Sequence, residues 1–239
     1  MNRNIKAVVL AGGLGTRLYP VTRRIAKSML PVNGKPLLEY IIRYLAGYGF
    51  TEIIITVGNK RKQIMDHFGN GTQFGIKLQY SVERNVLGTA GSFKNAGKLI
   101  DDTTLIIQGD NLTNFALDEI VDFHMEKKAL ATIALTSVRK PQGYGIALID
   151  KNKRIVRFEE KPTSSFSNLV NSGIYVLNRY VLDYIPKNST YDFAADLFPL
   201  LLRKKLRLYG IDVPGCWFDI GTPESYEKAK KFLGLHRTV

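Results

Sequence analysis

The stretch Leu10-Ala11-Gly12-Gly13-Leu14-Gly15-Thr16-Arg17-Leu18 carries the residue types that hold a polyphosphate. Glycines 12, 13 and 15 let the backbone approach phosphate oxygens and turn N–H groups inward as a nest. Arg17 adds a forked donor that stays charged at physiological pH. A second cation, Lys27, follows in Lys27-Ser28-Met29-Leu30-Pro31-Val32. A tight strand exit would also use such glycines, but two familiar phosphate turns are excluded by the letters themselves. There is no Gly-Lys-Ser/Thr ending, so this is not a P-loop, and Leu18 stands where a dinucleotide fingerprint needs its third Gly or Ala.

Charge points the same way. Lys and Arg number 34 against 21 Asp and Glu, a formal net charge of +13. Seven of the cations (Arg3, Lys6, Arg17, Arg23, Arg24, Lys27, Lys35) precede the first acidic residue, Glu39. A solvated face is the plain explanation, since net charge speaks to solubility and non-specific binding rather than fold. A small polyphosphate is the functional one. Nucleic acid fits poorly, because no zinc finger, heptad-linked basic region or aromatic RNP-type strand is present.

The elements that must position these groups read as an α/β chain. Ile5–Leu10 is a β-branched apolar run suited to a strand buried on both faces, and the glycine turn ends it. Pro36 opens a helical pattern through Leu37, Tyr40, Ile41 and Leu45 that Gly47 and Gly49 close. Strands follow at Glu52–Val57, Ile76–Val82 and Thr104–Gln108, with helices over 60–68 and Ala90–Leu99 between them. This alternation predicts a doubly wound, mostly parallel, Rossmann-like sheet. After Leu130, runs at Ala131–Val138, Tyr144–Ile149, Arg154–Glu159 and Leu169–Leu177 lie close together with turns between them, predicting an inserted layer of antiparallel strands. Helices over 192–203 and 223–233 flank a strand at Leu206–Val213, and Thr222-Pro223 supplies an N-cap and first-position proline.

Hydrophobic residues at 45% and charged residues at 23% fit a globular chain, and no linker-like seam divides the 239 residues, so one domain over 1–239 is expected. The lone Cys216 can form neither an internal disulfide nor a cysteine-based zinc site. The apolar run Ala7–Leu10 is too short for a signal core or a membrane span. A soluble, cytoplasmic protein with no membrane contact is the expectation.

The pattern Gly-Gly-x-Gly-Thr-Arg-Leu-x-Pro-x-Thr…Lys-x-x-x-Pro resembles the sugar-1-phosphate nucleotidylyltransferases. These enzymes join a nucleoside triphosphate to a sugar phosphate, giving a nucleotide sugar and pyrophosphate. The resemblance continues through Gly88-Thr89-Ala90-Gly91, Gly109-Asp110-Asn111, Glu160-Lys161-Pro162, Asn171-Ser172-Gly173 and Trp217-Phe218-Asp219-Ile220-Gly221-Thr222-Pro223-Glu224. Two polyanions must meet in such a reaction, so positioning and charge neutralisation carry the catalysis.

The resemblance implies Mg²⁺ held by Asp110 and Asp219, although an Asp at either place could also be a turn former or helix cap. It implies that Arg17 and Lys27 hold the nucleotide phosphates and Lys161 the sugar phosphate. Leu10, Ala11, Gly12, Gly13, Gly15, Thr16, Glu83, Gly88 and Thr89 would line the nucleotide, and Gly145, Glu160, Asn171 and Gly173 the sugar. Glu83 falls where thymidine-using members carry Gln. A carboxylate only accepts hydrogen bonds, which suits the N1–H and N2–H₂ donors of guanine better than thymine. Thr89, where thymidylyltransferases tend to have Leu, also favours the guanylyltransferases. GTP with mannose 1-phosphate is thus expected, ahead of a heptose 1-phosphate; glucose-1-phosphate thymidylyltransferase and a non-catalytic nucleotide-sugar sensor are the rivals.

Nothing past the 223–233 helix resembles the left-handed β-helix of longer members, and a homo-oligomer is compatible with the chain. Ala26 stands where many relatives carry Pro. His67, His124 and His236 lack metal-ligand spacing and read as surface residues, while Phe193 and Phe198 read as core or subunit contacts.

Overall fold

The computed structural model describes residues 5–235. Its strands are β1 (Lys6–Leu10), β2 (Pro31–Val32), β3 (Lys35–Pro36), β4 (Glu52–Val57), β5 (Lys77–Val82), β6 (Thr103–Gln108), β7 (Asn111–Thr113), β8 (Ala131–Ser137), β9 (Gly145–Ile149), β10 (Ile155–Glu160), β11 (Leu169–Asn178), β12 (Leu208–Asp212) and β13 (Trp217–Asp219). The helices are α1 (Leu37–Gly47), α2 (Arg61–Phe68), α3 (Gly88–Asn95), α4 (Leu117–Glu126), α5 (Phe198–Arg203) and α6 (Pro223–Leu235). A nine-stranded sheet runs β10-β9-β11-β6-β1-β4-β5, with β8 on the other edge of β11 and β12 beyond it.

The half of the sheet nearest the glycine turn is parallel, with β6, β1, β4 and β5 side by side. Period-2 alternation sends these strands' side chains to two separate cores. Ala7, Val9, Ile53, Ile55, Leu105 and Ile107 face α1, α2 and α4, while Val8, Ile54 and Ile106 face α3 and the 193–201 segment. The expected doubly wound architecture follows from that alternation. The antiparallel strands are present, and they extend this sheet edge to edge instead of stacking on it as a layer: β11 pairs β6 antiparallel, and β8 and β9 then pair β11.

α4, the β7–β13 ribbon and the β2–β3 hairpin lie outside the sequence reading. α4 buries Leu117, Ile120, Val121 and His124 at three- and four-residue spacing, with Asp118 and Glu119 in its first turn where the helix dipole favours them. The short ribbon β7–β13 pairs residues that no local pattern connects. The expected 192–203 helix divides into a wide π-type turn over Phe193–Leu197 and α5, with Pro199 unable to donate within the first turn of α5. Phe193 and Phe198 stack in the core at 5.8 Å. Asn33-Gly34, with φ of 47° and 84°, makes the two-residue turn of the β2–β3 hairpin, and Val32 beside it packs with Ile220 and Ala229 to dock α6. The α6 cap forms as read, with the Ser225 N–H donating to Thr222 Oγ1 at 3.2 Å.

His124 corrects the surface reading of the histidines. It is 2% exposed and its Nδ1 lies 2.9 Å from Thr132 Oγ1 on β8, because the amphipathic face of α4 turns it inward. His67 is exposed, and His236 lies outside the described residues. Burial pushes the His124 pKa down to about 4, below its ordinary 6.5. The unfolded chain therefore takes up this proton first, and stability present above pH 6.5 is lost as pH falls towards 4. The loss amounts to up to about 3 kcal/mol. Urea titrations of wild type and His124→Leu between pH 7 and 4 should show a shallower decline in the variant; equal slopes would contradict a buried neutral imidazole.

Candidate active site

The glycine turn and Asp110 leave the sheet at the same end because β1 and β6 are parallel neighbours, with Leu10 in register with Gln108. The Gly109 N–H donates to the Leu10 carbonyl at 2.9 Å, and a Cβ on Gly109 would fall 2.8 Å from that oxygen. Glycine is thus required where the Asp110 strand crosses under the turn. The β7–β13 ribbon then pairs Asp219 with Asn111, and the Ile220 N–H donates to the Asp110 carbonyl at 3.0 Å. Two carboxylates remote in sequence become neighbours.

The cations converge on them. Gly15, at φ 66°, folds the turn back so that a Cβ there would sit 3.1 Å from Lys27 Cβ, and Thr22 Oγ1 fixes the Gly15 carbonyl at 2.7 Å. The Lys27 ammonium pairs with Asp110 Oδ2. Arg17 lies over Gly221, whose added Cβ would meet the guanidinium at 3.1–3.2 Å. Burial pushes the Asp219 carboxyl above its ordinary value and the Asp110 charge pushes further, while Lys27, Arg17 and Lys161 oppose the rise. The Ala26 N–H donates to Gln63 Oε1 at 2.9 Å, a bond that the proline of many relatives would lack.

Beside this cluster opens a cavity of about 260 Å³. Of the residues expected at the substrates, Arg17, Thr89, Asp110, Gly145, Glu160, Lys161, Asn171, Gly173 and Asp219 line it. Its shape comes from a bulge in β11, where Gly173 at φ 79° breaks the register between Asn171 and Tyr175. The Asn171 amide donates to Tyr175 Oη at 3.0 Å and its oxygen accepts from the Gly173 N–H at 3.0 Å. Gly145 leaves room for Glu160, since a Cβ would stand 2.7 Å from Glu160 Oε2. Lys161, at φ 48°, pairs with Glu160 at 3.3 Å.

The remaining predicted residues form a second neighbourhood. Ala11, Gly12 and Gly13 border a shallow depression with Gly58 and Arg61. Leu10 lies half-buried beneath the turn, and Thr16 is exposed at the start of the short 3₁₀ turn that carries Arg17. Glu83 is 6% exposed behind Gly12, where a Cβ would be 2.8 Å from both carboxylate oxygens, and its Oε1 has no partner. Burial raises its pKa, against the neighbouring hydroxyls of Ser92 and Thr56. Gly88, at φ 70°, leaves no room for a side chain, since a Cβ there would stand 2.6 Å from the Tyr191 carbonyl oxygen.

Several residues of the cavity wall escaped the sequence reading. Thr89 Oγ1 donates to Asp192 Oδ2 at 2.7 Å, and Asp192 Oδ1 caps the 193–197 turn through the Ala194 N–H at 2.9 Å. Its signal was the N-cap position at the head of the 192–203 pattern. Trp217 Nε1 and Asn111 Nδ2 both donate to the Ser172 carbonyl, fastening the ribbon to the bulge. Tyr144 and Gln108 complete the wall and carried no signal.

The acid pair suits a hard divalent cation: Asp110 Oδ1 is buried without a partner, and burial and the Asp110 charge together raise the Asp219 pKa. Among the described residues no cluster of three or more His, Cys, Asp or Glu could hold a metal, so such an ion would complete its shell with water and phosphate oxygens.

The Nucleotidyl transferase family model matches residues 6–234. The chain belongs to that family. It is 36% identical over 231 residues to a mannose-1-phosphate guanylyltransferase of Mycobacterium tuberculosis, covering 96% of this chain and 64% of the relative. A UTP–glucose-1-phosphate uridylyltransferase of Synechocystis is also 36% identical, covering 94% of this chain and 62% of the relative. The chain thus spans less than two thirds of the length of both. A D-glycero-alpha-D-manno-heptose 1-phosphate guanylyltransferase of Aneurinibacillus thermoaerophilus is 34% identical, with 96% and 98% covered. HddC from Yersinia pseudotuberculosis complexed with GMP-PN superposes at a TM-score of 0.82 with 28% identity, over 96% of this chain and 99% of that one. A Bacillus anthracis structure in complex with sucrose superposes at 0.88 with 28% identity, over 98% and 96%.

The raised Asp219 pKa gives this nucleotidyl transferase a stability signature. A carboxyl whose folded pKa exceeds its unfolded one stabilises the fold when protonated, and that contribution is lost as pH rises through the window between the two values. Asp219→Asn removes the repulsion from Asp110. In metal-free buffer at pH 7 its melting temperature should rise by a few degrees, and the gain should vanish below about pH 4. A lower melting temperature than wild type at pH 7 would contradict the assignment.

Proposed function

We propose that the chain transfers a guanylyl group from GTP to a manno-configured sugar 1-phosphate, mannose 1-phosphate first, releasing pyrophosphate and using Mg²⁺. The observation that carries the reading is the meeting of Arg17, Asp110 and Asp219 on the wall of one cavity with Glu160, Lys161 and Asn171, with Lys27 paired to Asp110. A phosphate oxygen of the sugar substrate attacks the α-phosphorus, and the bond from that phosphorus to the bridging oxygen breaks, so pyrophosphate leaves with the electron pair. No general base is required, because a phosphate dianion is already a nucleophile.

Each group has a task set by its chemistry. Arg17, a bidentate donor at the end of the glycine turn, neutralises charge on the departing pyrophosphate. Lys27 holds Asp110 in place and adds charge at the phosphates. Lys161, beside Glu160 on the same cavity wall, is assigned to the sugar phosphate. Glu160 and Asn171 offer acceptors and an amide to sugar hydroxyls. Mg²⁺ on Asp110 and Asp219 would withdraw charge from the phosphates during transfer.

GTP is favoured by Glu83, whose unpartnered Oε1 behind Gly12 can accept from guanine. The bound GMP-PN of HddC and the guanylyltransferase names of two relatives agree with this choice. The likeness to the heptose 1-phosphate guanylyltransferase, at 34% identity, supports a second manno-configured substrate, the heptose 1-phosphate.

Pyrophosphate release should be measured with Mg²⁺ for GTP, dTTP, UTP, CTP and ATP against mannose, heptose and glucose 1-phosphates. A dominant GTP row with the manno-configured sugars is expected, and Asp110→Ala should lower turnover at least about 10³-fold. Dominance of dTTP or UTP would refute the base assignment. In the same assay Glu83→Gln should reduce GTP selectivity over dTTP by about tenfold or more, the worth of one charge-assisted hydrogen bond. Because burial raises the Glu83 pKa, wild-type GTP affinity should weaken as pH falls through the acid range, and the variant should lack this slope.

A further inference from the structure

A second cavity, of about 420 Å³, shares no lining residue with the catalytic cleft. Lys94, Lys98, Arg179 and Lys187 surround it, Leu87 and Leu182 give it apolar walls, and no Asp or Glu lines it. Among the described residues none of the four cations makes an ion pair. Two are fixed by neutral carbonyls instead: Lys94 Nζ donates to the Leu182 oxygen and Arg179 Nη1 to the Ile100 oxygen, each at 2.6 Å. A carbonyl orients a cation without cancelling its charge, so both keep donors and charge free for an anion. On a chain of net charge +13, four uncompensated cations around one concavity repel each other, and an anionic occupant relieves that repulsion.

The concavity is built by the fold. Leu87, Gly91, Lys94 and Lys98 recur at helical spacing along one face of α3 and its short continuation. Gly91 lets the 186–189 segment close in, since a Cβ there would stand 2.8 Å from the Ser189 carbonyl. The volume falls in the range of small-molecule sites. We infer that this cavity binds a nucleoside phosphate, with its phosphates among the four cations and its ring against Leu87 and Leu182.

The site lies one strap behind the cleft. The Tyr191 N–H donates to the Leu87 carbonyl at 2.8 Å, the Gly91 N–H to the Tyr191 carbonyl at 2.9 Å, and Thr190 Oγ1 to the Val86 carbonyl at 2.9 Å. The next residue along, Asp192, holds Thr89 in the catalytic cavity. An occupant touching Leu87 and Gly91 therefore leans on the same backbone that sets this wall.

Lys98 and Lys187 are exposed and outside the catalytic machinery, so K98E/K187E should fold and turn over as wild type does. Calorimetric titration with GDP at low ionic strength should show the double variant binding one nucleotide fewer than wild type. The milder K98Q/K187Q should weaken that event by about tenfold or more. Tripolyphosphate, which has the charge and no ring, should bind this site at least about tenfold more weakly than GDP. Equal stoichiometry in wild type and both variants would overturn the site, and equal affinity for tripolyphosphate would overturn its assignment to a nucleoside phosphate. The readout is binding, so it is separable from any failure of the catalytic proposal.

Discussion

Two carboxylates held side by side are the constraint around which the active end of the sheet is arranged. Asp219 is buried beside Asp110, and its raised pKa records first the cost of burial and then the repulsion between the two charges. The fold accepts it by surrounding the pair with cations of three origins: Lys27 from a short turn, Arg17 from the glycine loop and Lys161 from the end of β10. Each belongs to a different stretch of chain, so the site is complete only when the sheet, the ribbon and both loops are in register. Such an arrangement sacrifices some stability for function, as strained active sites generally do.

Glycines set the distances within it. Gly109 allows β6 to pass beneath the turn, Gly12 admits the Glu83 carboxylate, Gly145 admits Glu160, and Gly173 makes the bulge that opens β11. A methyl group at any of these positions would fall 2.5–2.8 Å from a neighbouring polar atom. The strands themselves are ordinary: period-2 apolar runs that bury one face against α1, α2 and α4 and the other against α3 and the 193–201 segment. Rigidity comes from the two cores, and the cleft is cut where glycines interrupt the pleat.

The basic cavity behind α3 places a second charged concavity on the same scaffold. It differs from the first in lacking acids, and its fixed cations are oriented by carbonyls. The Thr190–Asp192 strap separates the two, held to the Val86–Gly91 backbone by the Thr190 hydroxyl and the Tyr191 main chain.

The parallel strands, the glycine turn, its two cations and the α6 cap were legible in the sequence, because each depends on local periodicity or on backbone freedom that particular residues confer. His124 was misread because burial depends on which face of α4 meets the sheet, and α4 itself is only ten residues long. Asp192, Tyr144, Gln108 and Trp217 were invisible as cavity residues, since their neighbours come from β11, α3 and β7. The residue types of the sequence thus determined which groups were available: a glycine turn with two cations, two strand-end carboxylates and an acceptor at Glu83. Only the tertiary structure decided which groups share a space, because strand register brings Asp219 to Asp110 and the β11 bulge turns Asn171 and Gly173 into a wall, and both arise from pairings between segments far apart in the chain.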